Sequence, residues 1–240
     1  MMNVIVLAAG GEYLETEDGK YPICLTEFQG RPLLQHVAES LDFEQDKIIF
    51  IFQERQARKY HLSAIAELLS GGRANVVEVP ENTAGAATTA LLGCVKMDQG
   101  LPLLIISSNQ LTDIKLKDFT DYMNKAAYDA GTVVFESIHP RYSFVSLDAD
   151  GTVTEAAEKR PISRNATAGI YWFSRTADFV GSVEDMIRKD ARVGGHFYIC
   201  PSFNEMILAG RRVGAYKIDA SCYHPLKNSH HVDDYINENR

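Results

Sequence analysis

Positive charge is scarce in this chain: 24 lysines and arginines stand against 32 aspartates and glutamates, a formal net charge of −8 over 240 residues. A surface for nucleic acid needs clustered cations to displace counterions from phosphates, so that class of partner is excluded. A small phosphorylated ligand is not, because a pocket needs only a few local donors. Cysteine is scarce as well. Cys24, Cys94, Cys200 and Cys222 stand apart without a Cys-x-x-Cys pair, which predicts reduced, mostly buried thiols instead of disulfides. Cys222, His224, His230 and His231 fall close together but in no zinc-binding spacing. Long apolar runs are missing, and the N-terminus has neither the basic flank nor the apolar stretch of a signal peptide; the expectation is a cytoplasmic protein without membrane insertion. Linkers rich in proline, glycine or serine, composition shifts and internal repeats are also missing, so a single domain over residues 1–240 is expected.

What is present is a chain with 45% hydrophobic residues, enough for one sizeable α/β core. Strand-like runs at 3–7, 47–52, 75–79 and 103–106 alternate with helical patterns at 32–41, 55–69 and 84–96, the order of βαβ units on a parallel sheet. Pro32 suits the first turn of its helix. After a further helix at 115–127 come short strands at 132–137, 143–147 and 153–157, a strand at 166–173, helices at 177–188 and 201–208, a late strand at 213–218 and a closing helix at 231–237. Asp148-Ala149-Asp150-Gly151 imitates a metal-binding Asp-x-Asp, yet its Asp-Gly end marks a hairpin turn. The first half, 1–130, is expected to hold a nucleotide at the carboxyl ends of its strands, and 131–240 to supply acceptor contacts.

Val4-Ile5-Val6-Leu7 runs into Ala8-Ala9-Gly10-Gly11, a turn so poor in side chains that backbone N–H groups can approach a phosphate or a base. Further stations follow in order: Gly30-Arg31-Pro32-Leu33-Leu34, Thr83-Ala84-Gly85-Ala86-Ala87-Thr88, Ser107-Ser108-Asn109-Gln110, Glu158-Lys159-Arg160-Pro161, Ala166-Thr167-Ala168-Gly169-Ile170-Tyr171, and Phe197-Tyr198-Ile199-Cys200-Pro201 with Asn204. In their joint order they resemble the sugar-phosphate nucleotidyltransferases, in particular the glucose-1-phosphate or dTDP-glucose pyrophosphorylase-like branch of capsule and lipopolysaccharide gene clusters. That resemblance spans nearly the whole chain. It implies a three-layer α/β/α fold of GT-A, Rossmann-like type with a mostly parallel mixed central sheet.

The resemblance implies attack of a sugar phosphate, or a similar phosphorylated small molecule, on the α-phosphorus of a nucleoside triphosphate, with Mg²⁺ as cofactor and pyrophosphate as leaving group. It implies a nucleotide site of Leu7, Ala8, Ala9, Gly10, Gly11, Gly85, Ala86 and Thr88, and an acceptor site of Glu158, Lys159, Gly169 and Asn204. Three charged stations depart from the pattern. The glycine-rich turn leads into the acidic stretch Glu12 to Asp18 instead of an arginine, Pro22 is followed by Ile23 instead of lysine, and Asn109 stands where the metal-holding aspartate is expected. Lys159 is the expected catalytic cation. Lys20 either replaces the lost lysine or is a surface residue of an acidic loop, and Asp113 either joins Asn109 at a metal or caps the following helix. An active transferase leads these expectations. A non-catalytic nucleotide- or nucleotide-sugar-binding relative, acting as sensor or partner subunit, follows, then a GT-A glycosyltransferase; oligomerisation is left open.

Overall fold

The computed structural model describes residues 1–10, 13–16 and 19–226. In chain order the strands are β1 (Asn3–Ala8), β2 (Tyr13–Thr16), β3 (Gly19–Pro22), β4 (Glu27–Phe28), β5 (Arg31–Pro32), β6 (Lys47–Gln53), β7 (Asn75–Val79), β8 (Leu103–Ser107), β9 (Gln110–Thr112), β10 (Ala130–Glu136), β11 (Ser143–Leu147), β12 (Val153–Glu158), β13 (Asn165–Phe173), β14 (Val213–Lys217) and β15 (Tyr223–Pro225). The α-helices are α1 (Leu33–Glu39), α2 (Glu54–Tyr60), α3 (Leu62–Ser70), α4 (Ala86–Cys94), α5 (Leu116–Lys125), α6 (Thr176–Arg188) and α7 (Ser202–Leu208).

β7, β6, β1 and β8 lie side by side and parallel, as connections through helices require. β13 pairs antiparallel with β8, and β10, itself parallel to β14, pairs with the other side of β13. Period-two alternation divides the apolar residues between the two faces of this sheet. Val4, Val6, Phe50, Phe52, Leu104 and Ile106 share one core with Leu33 and Val37 of α1, Leu62 of α3 and Phe119 of α5. Ile5, Ile49, Ile51, Leu103 and Ile105 share the other with Ala87 and Ala90 of α4, Phe179 and Val183 of α6 and Phe203 of α7. Each such buried aliphatic or aromatic side chain contributes about 1.5–3 kcal/mol, which is why the central strands need apolar residues on both faces. The outcome is the expected three-layer α/β/α architecture around a mixed sheet.

One irregularity of this sheet creates a site. β8 follows β13 only from Ile170 to Phe173, whereas β11 meets β13 at Ala166 and runs back along β12. Among the described residues, no sheet strand pairs with β13 on that side between these contacts, and the gap opposite Thr167–Gly169 is lined by side chains instead.

Several boundaries differ from the sequence expectation. The helix expected over 55–69 is two, because His61 takes a left-handed conformation (φ 54°) between α2 and α3. The bend swings Leu62 and Ala66 of α3 onto the sheet, where both are fully buried. Pro32 does not open α1. It is extended (ψ 146°) and ends the small β4–β5 hairpin, whose turn residues Gln29 and Gly30 both have positive φ. α4 begins at Ala86, since Ala84 (φ 59°) and Gly85 (φ 124°) cannot belong to a right-handed helix. Asp148 caps its turn as expected of a hairpin, accepting hydrogen bonds from the N–H groups of Asp150 and Thr152 at 2.9 Å. The helix expected at 231–237 lies outside the described residues. Among the described residues, no helix is long and apolar enough to cross a membrane.

Candidate active site

The carboxyl ends of β1 and β8 open onto a cleft of about 480 Å³. Its floor is backbone. The Leu7 carbonyl accepts a hydrogen bond from the Ser108 N–H at 3.0 Å, tying the turn after β1 to the turn after β8. The Gly10 carbonyl accepts another at 3.1 Å from Nε2 of Gln56, a residue of α2 that is 1% exposed. The far wall is the 81–86 loop ahead of α4. Phe197 N–H donates to the Ala84 carbonyl at 2.8 Å and Ala87 N–H to the Phe197 carbonyl at 3.0 Å, so this loop is fastened to the turn at 194–197. Gly85 permits the approach, for a Cβ there would stand 2.4 Å from the Phe197 carbonyl oxygen, and its backbone conformation is one that glycine alone adopts readily. Fastening the loop also brings His196 to the cleft wall.

Pro22, Ile23 and Cys24 close the third side. Burial pushes the Cys24 thiol up to about 12, so it is a neutral packing group and no nucleophile. Among the described residues that line this cleft there is no lysine or arginine. Small side chains and backbone groups make it a place where a flat, uncharged moiety can lie close to the chain.

A second, smaller cavity of about 150 Å³ fills the gap beside β13 and shares Ala86, Ser107 and Asn109 with the first. Side chains build it. Gly169 (φ 67°) leaves room for Gln110, whose amide nitrogen would otherwise lie 2.6 Å from a Cβ. Gln110 thereby donates to the Ala168 carbonyl and accepts from the Tyr223 hydroxyl at 3.2 Å. Opposite, Glu158 is buried and accepts from the Ser143 hydroxyl. Tyr171 shares a 3.1 Å hydrogen bond with Thr167. Burial holds the Tyr171 phenol and the neighbouring Cys200 thiol well above their ordinary ranges, with the Glu158 charge adding to both. They are neutral at physiological pH, and Glu158 is the acidic side chain among this cavity's described lining residues.

Cations stand at the mouth of this cavity. Lys159 donates to the Tyr198 hydroxyl at 2.9 Å and lies 5.0 Å from the Tyr198 ring centroid. The hydrogen bond to Tyr198 is the main reason its ammonium is held above the usual lysine range, so it stays charged through neutral pH. Arg141 lines the cavity, 5.8 Å from the Tyr142 ring.

The sequence-derived residues therefore part into groups. Leu7, Ala8, Ala9, Gly10, Gly85, Ala86 and Asn109 line the first cleft, Glu158 and Gly169 the second, and Lys159 reaches the second through Tyr198. Three take other positions. Thr88 turns its hydroxyl to the Thr83 and Gly85 carbonyls while Thr89 lines the cleft. Asn204 uses both ends of its amide on the Ala156 backbone, at 2.9 and 2.8 Å, and lines neither cavity. Asp113 faces His224 at 2.7 Å and lines neither cavity; α5 is preceded by Lys115, with no side-chain cap. The side chain of Lys20, in β3, and all of Gly11, His230 and His231 lie outside what is described. Arg141, Tyr142 and Ser143, consecutive at the start of β11, and Tyr223 of β15 join the site without a signal in the sequence, because nothing in either segment marks it as facing the other.

The donor set does not fit a resident Mg²⁺. This ion is usually held by one or two carboxylates together with substrate phosphates. The turn after β8 offers the hydroxyls of Ser107 and Ser108 and the neutral amide of Asn109, and the described residues contain no group of three or more histidine, cysteine, aspartate or glutamate side chains placed to hold a metal.

Comparison with known proteins agrees with this geometry. A nucleoside-diphosphate-sugar pyrophosphorylase from Vibrio cholerae superposes with a TM-score of 0.82 at 21% identity, over 98% of this chain and 100% of that one. A UDP-glucose pyrophosphorylase complexed with UDP-glucose gives 0.76 at 15% identity, over 100% and 98%. The inositol-1-phosphate CTP transferase of T. maritima gives 0.73 at 15%, over 99% and 94%. No curated protein matches in sequence. The family model for nucleotidyl transferases matches residues 19–192, most of the described chain, and the protein belongs to that nucleotidyl transferase family.

Proposed function

We propose that the protein transfers a nucleotidyl group from a nucleoside triphosphate to a phosphorylated sugar or similar phosphorylated small molecule, within nucleotide-sugar or surface-polysaccharide metabolism. The observation that carries this reading is the wall shared by the two cavities, Ala86, Ser107 and Asn109. In this reading two anionic substrates meet edge to edge across that wall, at the carboxyl ends of the parallel strands. An acceptor phosphate oxygen forms a bond to the α-phosphorus as the bond from that phosphorus to the β-phosphate oxygen breaks, and pyrophosphate leaves. Such a transfer asks the protein mainly to align the reactants and offset charge.

In this reading Leu7 to Gly11 lie against the nucleotide, Gly85 and Ala86 against its base and ribose, and Asn109 at the junction. Glu158 and the Gly169 backbone meet the acceptor. Lys159 and Arg141 meet its phosphate, and Lys20 is the remaining candidate cation for the triphosphate. A second reading, binding without turnover, is favoured by the neutral Ile23 and Asn109 in the first cleft. Both are tested by incubating the protein with each nucleoside triphosphate, Mg²⁺ or Mn²⁺ and a panel of phosphorylated acceptors while pyrophosphate is measured. Turnover discards the second reading. Nucleotide binding by calorimetry without pyrophosphate release discards the first.

A further inference from the structure

The far wall of the larger cleft is shaped by a turn that also displays a basic side chain. Val193 and His196 exchange backbone hydrogen bonds, N–H to carbonyl at 2.9 and 3.1 Å, across Gly194 and Gly195. Both glycines have positive φ (57° and 83°), as so tight a turn requires. Just beyond it Phe197 is 3% exposed, with the Arg192 guanidinium 4.9 Å from its ring and its N–H and carbonyl bound to Ala84 and Ala87. The residues on either side face the site: exposed His196 lines the larger cleft and Tyr198 the smaller cavity, with their ring centroids 6.3 Å apart. Anchoring Phe197 therefore holds both of its neighbours in position.

This segment runs beside the wall that the two cavities share, since the Phe197 carbonyl holds the N–H of Ala87, the residue after Ala86. Lys159 joins it from the cavity side through the Tyr198 hydroxyl. On the cleft side, His196 is the basic side chain among the described lining residues, and Glu81, the acidic one, is paired with Arg55 at 3.5 Å. The other described polar side chains of this lining are hydroxyls, amides and a neutral thiol. A nucleotide brings negative charge into that lining, and imidazole is the side chain that most readily takes up a proton beside an anion near neutral pH. We infer that His196 is a phosphate-binding residue, which donates to the α-phosphate of the nucleotide from the cleft side of the shared wall while Lys159 serves the acceptor phosphate from the cavity side. It supplies a charge that Ile23 and Asn109 cannot. This rests on the nucleotidyl-transfer reading and adds a residue to it.

The test is calorimetry on the full chain with each nucleoside, its monophosphate and a non-hydrolysable triphosphate analogue, for the wild type, His196→Ala and His196→Lys. His196 is exposed and its turn is held by backbone groups, so both variants should keep the fold, which an unchanged unfolding midpoint verifies. The expected result for His196→Ala is a Kd about tenfold higher for monophosphate and triphosphate analogue alike, the scale of one charge-assisted contact, with nucleoside Kd within about twofold of wild type. His196→Lys, which keeps a cation at the wall, should recover most of the loss. An unchanged nucleotide Kd in His196→Ala overturns the inference, as does a parallel loss for the nucleosides, which would make the contact one to base or ribose. Loss confined to the triphosphate analogue puts the contact beyond the α-phosphate and overturns it too, and so does a lysine that recovers nothing. Pyrophosphate release separates this outcome from that of the transferase reading. Turnover with nucleotide binding indifferent to His196 leaves nucleotidyl transfer standing without this residue. Binding that depends on His196, with no pyrophosphate from any acceptor, overturns the transfer and keeps the phosphate contact. If no nucleotide binds the wild type, both fall.

Discussion

The two cavities meet at one wall but are built by opposite means. The larger is made of turns: the carbonyl of Gly10, the loop fastened through Gly85, and small residues that keep out of the way. The smaller is made of side chains, with Gln110, Tyr223, Glu158, Ser143 and Tyr171 each committed to a neighbour. Shape in the first depends on backbone conformation and survives loss of charged residues nearby. In the second, each polar group is another's partner, so a single replacement leaves something buried and unsatisfied.

The sharpest way to break this contrast is to return charge to the cleft. Ile23→Lys combined with Asn109→Asp should raise Mg²⁺-dependent pyrophosphate release by about 10²-fold, the size of a single positioned electrostatic contact. An unchanged rate would place the limit outside both positions. Next, Gly85→Ala should cost roughly 3 kcal/mol or more, because both its conformation and the Phe197 carbonyl oppose a Cβ. Chemical denaturation would measure the loss, and calorimetry should show nucleotide binding failing before acceptor binding. Gln110→Ala should cost about 1–3 kcal/mol by stranding the Ala168 carbonyl and the Tyr223 hydroxyl. Its effect should fall on acceptor KM, with nucleotide KM little moved. The mildest change is Gln56→Leu. It removes the bond to Gly10 together with a buried amide oxygen that has no partner among the described residues, so stability should shift by less than about 1 kcal/mol while nucleotide KM rises several-fold. An unchanged nucleotide KM would show that Gly10 needs no such support.

The same division separates what is legible in the amino-acid sequence from what is not. β1, β6 and β8 can be read from it because strands buried on both faces are apolar nearly throughout, β7 because its valines stand out between exposed Asn75 and Glu78, and Gly10, Gly85 and Gly169 because small residues cluster at the turns and crossings that shape the site. The break at His61 is hidden, since neither glycine nor proline marks it and the apolar period continues across it. Tyr142, Tyr171, Tyr198 and Tyr223 cannot be gathered into one site from their spacing, because their convergence depends on where β11 leaves β13. Asn204 reads as an acceptor residue because it lies in a shared motif, yet its amide is spent on Ala156.

That expenditure has a consequence of its own. β12 is the last strand of the sheet on its side, and a last strand leaves backbone N–H and carbonyl groups without a ladder partner. By accepting from the N–H and donating to the carbonyl of Ala156, the Asn204 carboxamide imitates one residue of a neighbouring strand and ends the ladder there. The side chain from α7 thus occupies both backbone hydrogen-bonding groups of Ala156, so at this residue the ladder ends on a carboxamide instead of a strand.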